Sequence, residues 1–247
     1  MSSKKIYPSF LSVKGKKIPF QVVRERRQSM RVAVGKRAVI LRMPSGILAP
    51  GLEKGTTWVQ NWLEELTAKK PDALDHLLLK SYENGDILEV GDRRYTLQIV
   101  YEDRKTHAAK LKGDIIKLSL VESADPMLLQ KAIKHLLSRV VAQDFLPNIV
   151  KRVDDLNDLY FQKAFNKVSL KYNHSNWGSC SSKGNINLST RLLFAPQPVI
   201  DYVIVHELAH LVEANHSPRF WAEVKKVMPD YKDKERFLKQ NGKQFDF

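Results

Sequence analysis

The stretch His206-Glu207-Leu208-Ala209-His210 constrains the fold of this chain more than any other, because its histidines can act as a pair only on a helix. Side chains four residues apart on an α-helix project from one face, about one turn apart, and can bind the same metal ion. Glu207 then lies roughly 100° around the helix from His206, where a carboxylate reaches a water molecule at the metal without being a ligand. The segment predicts a metal site on a helix whose other face is buried.

The sequence around this pair supports the same arrangement. Apolar residues fall on the opposite side of the helical wheel and predict a buried back: Ile204, Leu208, Leu211 and Val212. Asn215 is expected to end the helix, because asparagine tolerates the left-handed conformation. Ser217 and Pro218 then predict the N-cap and first turn of a second helix over 218–227. His216 therefore lies at a turn between two helices, within reach of the metal as a third ligand.

Two other interpretations of these histidines are open. His206 and His210 could be ordinary residues of an amphipathic helix, with Glu207 solvated. His216 could cap a helix or bind a backbone carbonyl instead of completing the usual three-ligand catalytic zinc site. Its spacing equals that of the metzincin pattern, but Glu213 stands where that pattern has glycine, so the chain is not a metzincin by sequence.

The predicted chemistry is metal-assisted hydrolysis with one zinc ion per chain. Zinc at a three-histidine site lowers the pKa of a water molecule towards neutrality and polarises the substrate carbonyl. Glu207 is expected to accept the proton of that water and to pass it to the leaving amine. The sequence therefore predicts an intracellular zinc metallopeptidase that acts on a peptide or protein substrate. The residue that stabilises the oxyanion is left open among Arg191, Tyr202 and Asn187.

The C-terminal half resembles the YgjP-like family of metal-dependent hydrolases, which is similar to the SprT and WLM groups of zincin-like metallopeptidases. The resemblance is dense from about Trp177 to Tyr231, and the basic, β-rich N-terminal half also looks like that family. The matching residues are Trp177-Gly178-Ser179-Cys180-Ser181, Gly184, Asn185-Ile186-Asn187-Leu188, Arg191-Leu192, Pro196, Tyr202-Val203, His206-Glu207-Leu208-Ala209-His210-Leu211, Asn215-His216-Ser217 and Phe220-Trp221.

The resemblance implies His206, His210 and His216 as zinc ligands and Glu207 as the catalytic carboxylate. It departs at Asn176, where the family usually has a basic residue, so a substrate contact made by that charge is in doubt here. The expected fold class is α+β, with a β-rich basic N-terminal region over 1–125 and a zincin-like catalytic region over 126–247.

The composition indicates the cellular compartment of the protein and the kinds of partner that it can have. The single cysteine, Cys180, excludes an internal disulfide framework and is typical of a reducing compartment. The N-terminus lacks a long apolar signal region, and no stretch approaches the roughly 18 apolar residues that would span a bilayer. We therefore expect a cytoplasmic protein with no membrane partner. Cys180 as a nucleophile with His174 is disfavoured, because nothing in the sequence sets their mutual geometry.

Charge is concentrated at the N-terminus. Residues 1–42 contain twelve lysines and arginines against one acid, Glu25, in a chain of net charge +14. Such a surface can bind an anionic partner such as nucleic acid or a nucleotide, or can simply keep the protein soluble. Two alternative functions follow from it: a metal-dependent nucleoside triphosphate pyrophosphatase, and a nucleic-acid-associated protein with a regulatory zinc site. A glycine-rich phosphate loop and a glutamate-rich magnesium cluster are both missing from the sequence, which disfavours the first.

Periodicity predicts the order of the secondary structure, with no internal repeat. Predicted strands are 18–24, 30–34, 38–42, 87–90, 95–101, 109–112, 115–120, 168–172 and 185–189. A helix over 52–69 is expected to bury Trp58 and Trp62. A second helix from Pro126 is expected to kink or end at Pro147 and to support the back of the metal helix. The segment 185–191 is the predicted edge strand for pairing with an extended substrate.

Overall fold

The computed structural model describes residues 5–13, 16–35, 38–74, 77, 82–122 and 126–247. The chain forms two compact units, Met1–Ser81 and Tyr82–Phe247. The division lies between Ser81 and Tyr82, whereas the boundary predicted from the sequence, between 125 and 126, separates a β-rich from a catalytic region of one compact unit. The physical reason is that the strands between 87 and 120 share one hydrophobic core with the helices that follow them.

The first unit is a four-stranded sheet with one helix packed on it. Its elements are β1 (Lys5–Val13), β2 (Lys16–Glu25), β3 (Arg31–Val34), β4 (Val39–Pro44) and helix α1 (Ala49–Lys69). The strand order is β1-β2-β4-β3, with β2 and β4 parallel and the outer pairs antiparallel. Alternate residues of β2 and β4, among them Phe20 and Leu41, pack against Val59 and Leu63 of α1.

The buried face of α1 differs from the prediction. Trp58 is 44% exposed, whereas Val59 is fully buried. Gly55 explains the orientation, because a Cβ atom there would lie 3.1 Å from the sulfur of Met30 and 3.3 Å from Leu41. Because Gly55 is small, the helix face that contains Gly55 and Val59 packs closely on the sheet. Trp58 lies on another face of the helix and points outwards. The prediction that Trp58 belongs to the core is therefore wrong.

Part of the basic N-terminal region falls within the described residues. Glu25 forms ion pairs with Arg27 at 3.2 Å and with Arg42 at 3.1 Å, so the one acid of this region is used internally. Lys4, Lys14, Lys36 and Arg37, which the sequence analysis counted in the basic cluster, lie outside the described residues. Binding of an anionic partner stays a prediction.

The second unit begins with a sheet of the same topology as the first. Its strands are β5 (Ile87–Val90), β6 (Arg93–Tyr101), β7 (Ala108–Lys112) and β8 (Ile115–Leu120). They are ordered β5-β6-β8-β7, again with a parallel central pair and antiparallel outer pairs. Each sheet is followed by a long helix. The chain thus repeats a topology without repeating a sequence, because strand pairing depends on alternation of apolar residues and not on their identity.

Helix α2 (Pro126–Leu156) follows β8 and continues through Pro147 into a π-helical turn, Asn157–Phe161. The helix does not end at Pro147, which is an exposed residue inside it, and a kink at this residue stays a prediction. The apolar stripe predicted for α2 is buried, including Ile133 and Leu137, and it shares its core with the metal helix. The predicted support for the back of that helix is confirmed.

A small sheet and three helices complete the second unit. They are β9 (Lys167–Lys171), β10 (Gly178–Cys180), β11 (Asn185–Ser189), α3 (Gln197–Ala209), α4 (Pro218–Val227) and α5 (Tyr231–Asn241). The strand order is β10-β11-β9, so β11 is hydrogen-bonded on both sides. The prediction that 185–191 is a free edge strand is therefore wrong. The edge strand next to α3 is β10, whose three residues are too short a run to give a strand pattern.

The α+β fold class with a β-rich N-terminal part is confirmed. The described residues contain five α-helices and three mixed sheets. Within the same residues, no helix combines the length and the apolar character needed to cross a membrane.

Candidate metal centre

The metal-site motif lies at the C-terminal end of α3. The helix is buried around Val199–Val205 and ends at Ala209, so His210 is its C-cap, with helical backbone angles of φ −67° and ψ −17°. The one-turn spacing of His206 and His210 is therefore preserved. The expected helix end at Asn215 is wrong, because the N–H groups of 211 and 212 turn back to the carbonyls of 208 and 209. Beyond this turn Val212 is 43% exposed instead of buried.

His216 reaches the pair from the start of the next helix. The Ser217 hydroxyl accepts a hydrogen bond from the Phe220 N–H at 3.3 Å, and Pro218 occupies the first turn, as the sequence predicts. This cap directs the preceding residue, His216, back towards α3. Its Nε2 atom lies 2.9 Å from Nε2 of His206, and ligand atoms of all three histidines lie within 4.8 Å of one another.

Packing and hydrogen bonding orient the three imidazole rings. The ring of Phe220 lies 4.8, 4.5 and 4.7 Å from those of His206, His210 and His216. His210 Nδ1 lies 3.3 Å from the carbonyl oxygen of Glu213, so its Nε2 is left for a metal, which is the usual arrangement of a ligating histidine. Glu213 contributes its backbone carbonyl to the site.

The electrostatics of the site suit a metal ion. Burial, reinforced by the neighbouring imidazoles, lowers the pKa of His206 to about 4 in the metal-free protein. Burial also lowers the pKa of His210. Both rings are therefore neutral at physiological pH and keep the lone pair that a metal requires. Three imidazole nitrogens with one side open to the cleft fit catalytic zinc, which binds three protein ligands and leaves a position free.

Glu207 lies beside the imidazoles in a buried position. Its residue is 4% exposed, and within the described part of the chain its Oε2 atom has no hydrogen-bond partner. Burial raises the pKa of this carboxyl to about 8. Gly178 of β10 passes directly over the side chain and leaves no room for a Cβ atom. A partnerless carboxyl next to a metal site suggests a proton-transfer role, because a structural carboxyl would be hydrogen-bonded or ion-paired.

The site opens into a cleft of about 800 Å³. Its floor is α3, one wall is β10 with its flanking turns, and the opposite wall is α5. The lining residues are Asn176, Trp177, Gly178, Ser179, Cys180, Ser181, Ser182, Tyr202, Val203, His206, Glu207, His210, Ala214, His216, Glu235, Leu238 and Lys239. Sequence reasoning missed the contribution of α5. The helical pattern of α5 is visible in the sequence. No local signal, however, shows that residues about thirty positions after the motif face the same cleft.

The three side chains that the sequence offers as possible stabilisers of the oxyanion have different surroundings in the structure. Arg191 is buried away from the cleft and donates to the carbonyls of Phe245 and Gly242 at 2.7 Å each and of His174 at 3.2 Å. Asn187 accepts a hydrogen bond from the Ser169 hydroxyl on the small sheet. Tyr202 lines the cleft, one turn of α3 before His206.

The remaining polar candidates lie outside the metal cluster. Cys180 lines the cleft, and burial together with the Glu207 carboxylate raises the pKa of its thiol, which disfavours the reactive thiolate. His174 is exposed and contributes its carbonyl oxygen to Arg191. The acids Asp154, Asp155 and Asp158 are exposed. Among the described residues, only His206, His210 and His216 form a group that could bind a metal ion.

The chain is similar to a protein family and to two solved structures. Residues 28–241 match the family described as "YgjP-like, metallopeptidase domain". The metallopeptidase zymogen abylysin of Pyrococcus abyssi is 26% identical, with a TM-score of 0.35, over 37% of this chain and 93% of that one. The zymogen jannalysin of Methanocaldococcus jannaschii is 20% identical, with a TM-score of 0.34, over 38% and 95%. No curated protein matches this chain.

Proposed function

This chain belongs to the YgjP-like metallopeptidase family and is a metal-dependent peptidase, and we propose that its metal is zinc, bound by His206, His210 and His216. One observation carries the proposal. Three imidazoles, two of them with lowered pKa, converge within 4.8 Å at the floor of an open cleft, beside the buried carboxyl of Glu207, whose Oε2 atom has no hydrogen-bond partner among the described residues. This is the donor set and the open position that catalytic zinc uses.

Glu207 is the proposed general base. Zinc at such a site supplies a Lewis acid that lowers the pKa of water and polarises a carbonyl. Glu207 takes the proton of the attacking water and later gives it to the leaving amine. Burial places the pKa of this carboxyl at about 8 before metal binds, close to the range in which one group serves as both base and acid. The buried position also keeps bulk water from competing for the proton.

Strand β10 is the proposed docking edge for an extended peptide. Two hydrogen bonds at its ends set the direction of its backbone: Trp177 O accepts from Ser189 N at 2.8 Å, and Ser181 N donates to Asn185 O at 3.0 Å. Backbone groups alternate in direction along a strand, so Ser179 also faces β11. The N–H and C=O groups of Gly178 and Cys180 therefore point to the outer edge, where a substrate strand can pair with them.

The opposite wall presents both apolar and charged groups to the side chains of an extended peptide. Leu238 of α5 and Val203 of α3 give the cleft an apolar base, and Glu235 and Lys239 stand on the exposed side of the same wall. A peptide paired with β10 would direct alternate side chains towards this wall. We propose a flexible or unfolded segment of a peptide or protein as the substrate.

The test combines metal analysis with an activity panel. The purified chain is stripped with a chelator, reloaded with zinc, and offered a fluorogenic peptide library and nucleoside triphosphates. We expect one zinc per chain, peptide hydrolysis that is lost on stripping and restored by zinc, and intact nucleotides. Zinc-loaded protein that cleaves no peptide in the library, or that hydrolyses nucleotides instead, would overturn the proposal.

A further inference from the structure

Among the described residues, Tyr202 is the one tyrosine that lines the proposed active-site cleft, and it stands next to the proposed metal ligands. It precedes His206 by one turn of α3, and the two rings meet edge to face with centroids 6.1 Å apart. The residue is only 6% exposed, yet it lines the cleft together with His206 and Glu207. Its side chain is therefore directed into the site from the same helix face as the ligands.

The hydroxyl of Tyr202 makes no hydrogen bond to any residue that the structure describes, and its oxygen is not among the fully buried unpaired atoms, so this donor is accessible from the cleft. A buried tyrosine normally satisfies its O–H with a partner, since leaving it unpaired costs free energy. The other tyrosines of this unit differ in this respect: the hydroxyl of Tyr95 bonds to Asp144 at 2.6 Å and that of Tyr172 to Asp246 at 2.8 Å, whereas the buried hydroxyl of Tyr82 has no partner among the described residues. An unused donor at the cleft wall points to a partner that arrives with the substrate.

The ring of Tyr202 is held in place by stacking. Tyr231 of α5 stacks on it at 6.5 Å with an interplanar angle of 20°. Trp221 of α4 stacks on Tyr231 at 5.2 Å and 19°, and Trp221 also lies 5.7 Å from the rings of His206 and His216. One aromatic array thus links the metal ligands to Tyr202. A donor fixed in this way needs no reorganisation during the reaction, which is the condition for effective charge stabilisation.

We propose that the Tyr202 hydroxyl donates a hydrogen bond to the oxyanion that forms on the substrate carbonyl. The inference rests on the proposed peptidase function. The water oxygen forms a bond to the carbonyl carbon, its proton passes to Glu207, and the π electron pair moves onto the carbonyl oxygen. Tyr202 stabilises this oxygen without giving up its proton. The C–N bond then breaks, the electron pair re-forms the carbonyl, and the leaving nitrogen takes the proton from Glu207.

The test compares Tyr202→Phe with Tyr231→Phe in the zinc-loaded protein. Both changes remove one hydroxyl and keep the aromatic stack, but only the first removes a group that lines the cleft. We expect Tyr202→Phe to lower kcat by about 100-fold, the scale for one oxyanion donor. KM, zinc content and melting temperature are expected to stay near the parent values. Tyr231→Phe is expected to leave kcat unchanged.

The affinity for a tetrahedral inhibitor is a second measurement, and it should not change if Tyr202 has only a structural role. A phosphinic peptide imitates the tetrahedral centre, whereas the product peptide does not. In Tyr202→Phe the phosphinic peptide should bind weaker by the same factor as kcat/KM falls, with unchanged affinity for the product. Parental kcat in this variant, or a change in KM with kcat intact, would overturn the inference while leaving the peptidase proposal standing. A parent protein that holds zinc and cleaves no peptide would overturn both.

Discussion

Gly178 and Glu207 approach each other so closely that a Cβ atom at position 178 would lie 2.8 Å from both Cγ and Cδ of the glutamate. Any real Cβ atom stays farther from its neighbours, so only glycine fits at this position of β10, against the carboxyl of Glu207. The glycine is required here for space, since its backbone does not adopt a left-handed conformation. The strand that is proposed to bind substrate and the carboxyl that is proposed to act on it are thereby held in contact.

The change Gly178→Ala should therefore reduce peptide hydrolysis by at least about 10-fold, the lower end of losses from misplaced catalytic groups. The added methyl group displaces Glu207 or lifts β10, while the histidines are untouched. Zinc content, measured by elemental analysis, should stay at the parent value. Gly46→Ala is the matched control, because a Cβ atom there has no neighbour within 4 Å. Full activity in Gly178→Ala would show that the contact can relax without cost.

The change Glu207→Gln separates proton transfer from metal binding. The amide has nearly the same size as the carboxylate but cannot accept a proton. We expect the zinc-loaded variant to keep its metal and its melting temperature and to lose about 100-fold or more in kcat. Loss of zinc in this variant would instead make Glu207 a ligand or a support for one, and the proposed mechanism would be wrong.

The same variant should change how the stability of the metal-free protein depends on pH. The pKa of Glu207 is raised from 4.5 to about 8, so the native state holds this proton while the unfolded chain releases it above pH 4.5. The parent therefore loses stability as pH rises from 4.5 to about 8, by up to about 1.4 kcal/mol per pH unit. The Glu207→Gln variant does not lose stability in this way, because its amide does not titrate.

Urea unfolding of the stripped proteins at several pH values measures this difference. The free energy of unfolding of the variant, relative to the parent, should grow between pH 5 and pH 8. Histidine titration is common to both proteins and cancels. If the difference in unfolding free energy between variant and parent is the same at pH 5 and at pH 8, the Glu207 carboxyl is solvated in the metal-free protein.

Each histidine of the proposed site can be removed separately. His206→Ala and His210→Ala should weaken zinc binding by more than about 100-fold, since even residues that only orient ligands cost 10- to 100-fold. His216→Ala should do the same, although this ligand comes from outside the helix. His174→Ala is the control, because that side chain is exposed and outside the cluster. Tight zinc binding by His216→Ala, measured by competition with a chelator, would move the third ligand to Glu213 or beyond.

Arg191 should prove structural. Its guanidinium is buried, donates to three backbone carbonyls and lies 4.8 Å from the ring of Trp177. Arg191→Met keeps the aliphatic part of the side chain but removes the guanidinium and leaves the carbonyls without a donor, so the free energy of unfolding should fall by about 3 kcal/mol or more. Arg139→Met, at an exposed position of α2, is expected to change it by less than about 0.5 kcal/mol. Chemical denaturation distinguishes the two; parental stability in Arg191→Met would contradict this role.

Local sequence predicted the elements that depend on contacts between near neighbours. Strands β5 and β8 have the predicted bounds, as does helix α4 with its Ser217 cap. These signals are short-range: alternation along a strand, or a side chain that caps its own helix. Predictions failed where a distant partner decides the outcome. Trp58 is exposed because Gly55 faces the sheet, and β11 is central because β9 and β10 pair with its two sides.

The sequence by itself determined the proposed ligand set and the acid beside it, because spacing on one helix and a cap one residue after His216 place these groups within a few ångströms. It also determined the class of fold, through the change from strand to helix periodicity. Only the tertiary structure decided which strand borders the cleft, which helix forms its opposite wall, and which of Arg191, Tyr202 and Asn187 faces the site. Those choices depend on contacts between segments far apart in the chain, and no local pattern records them.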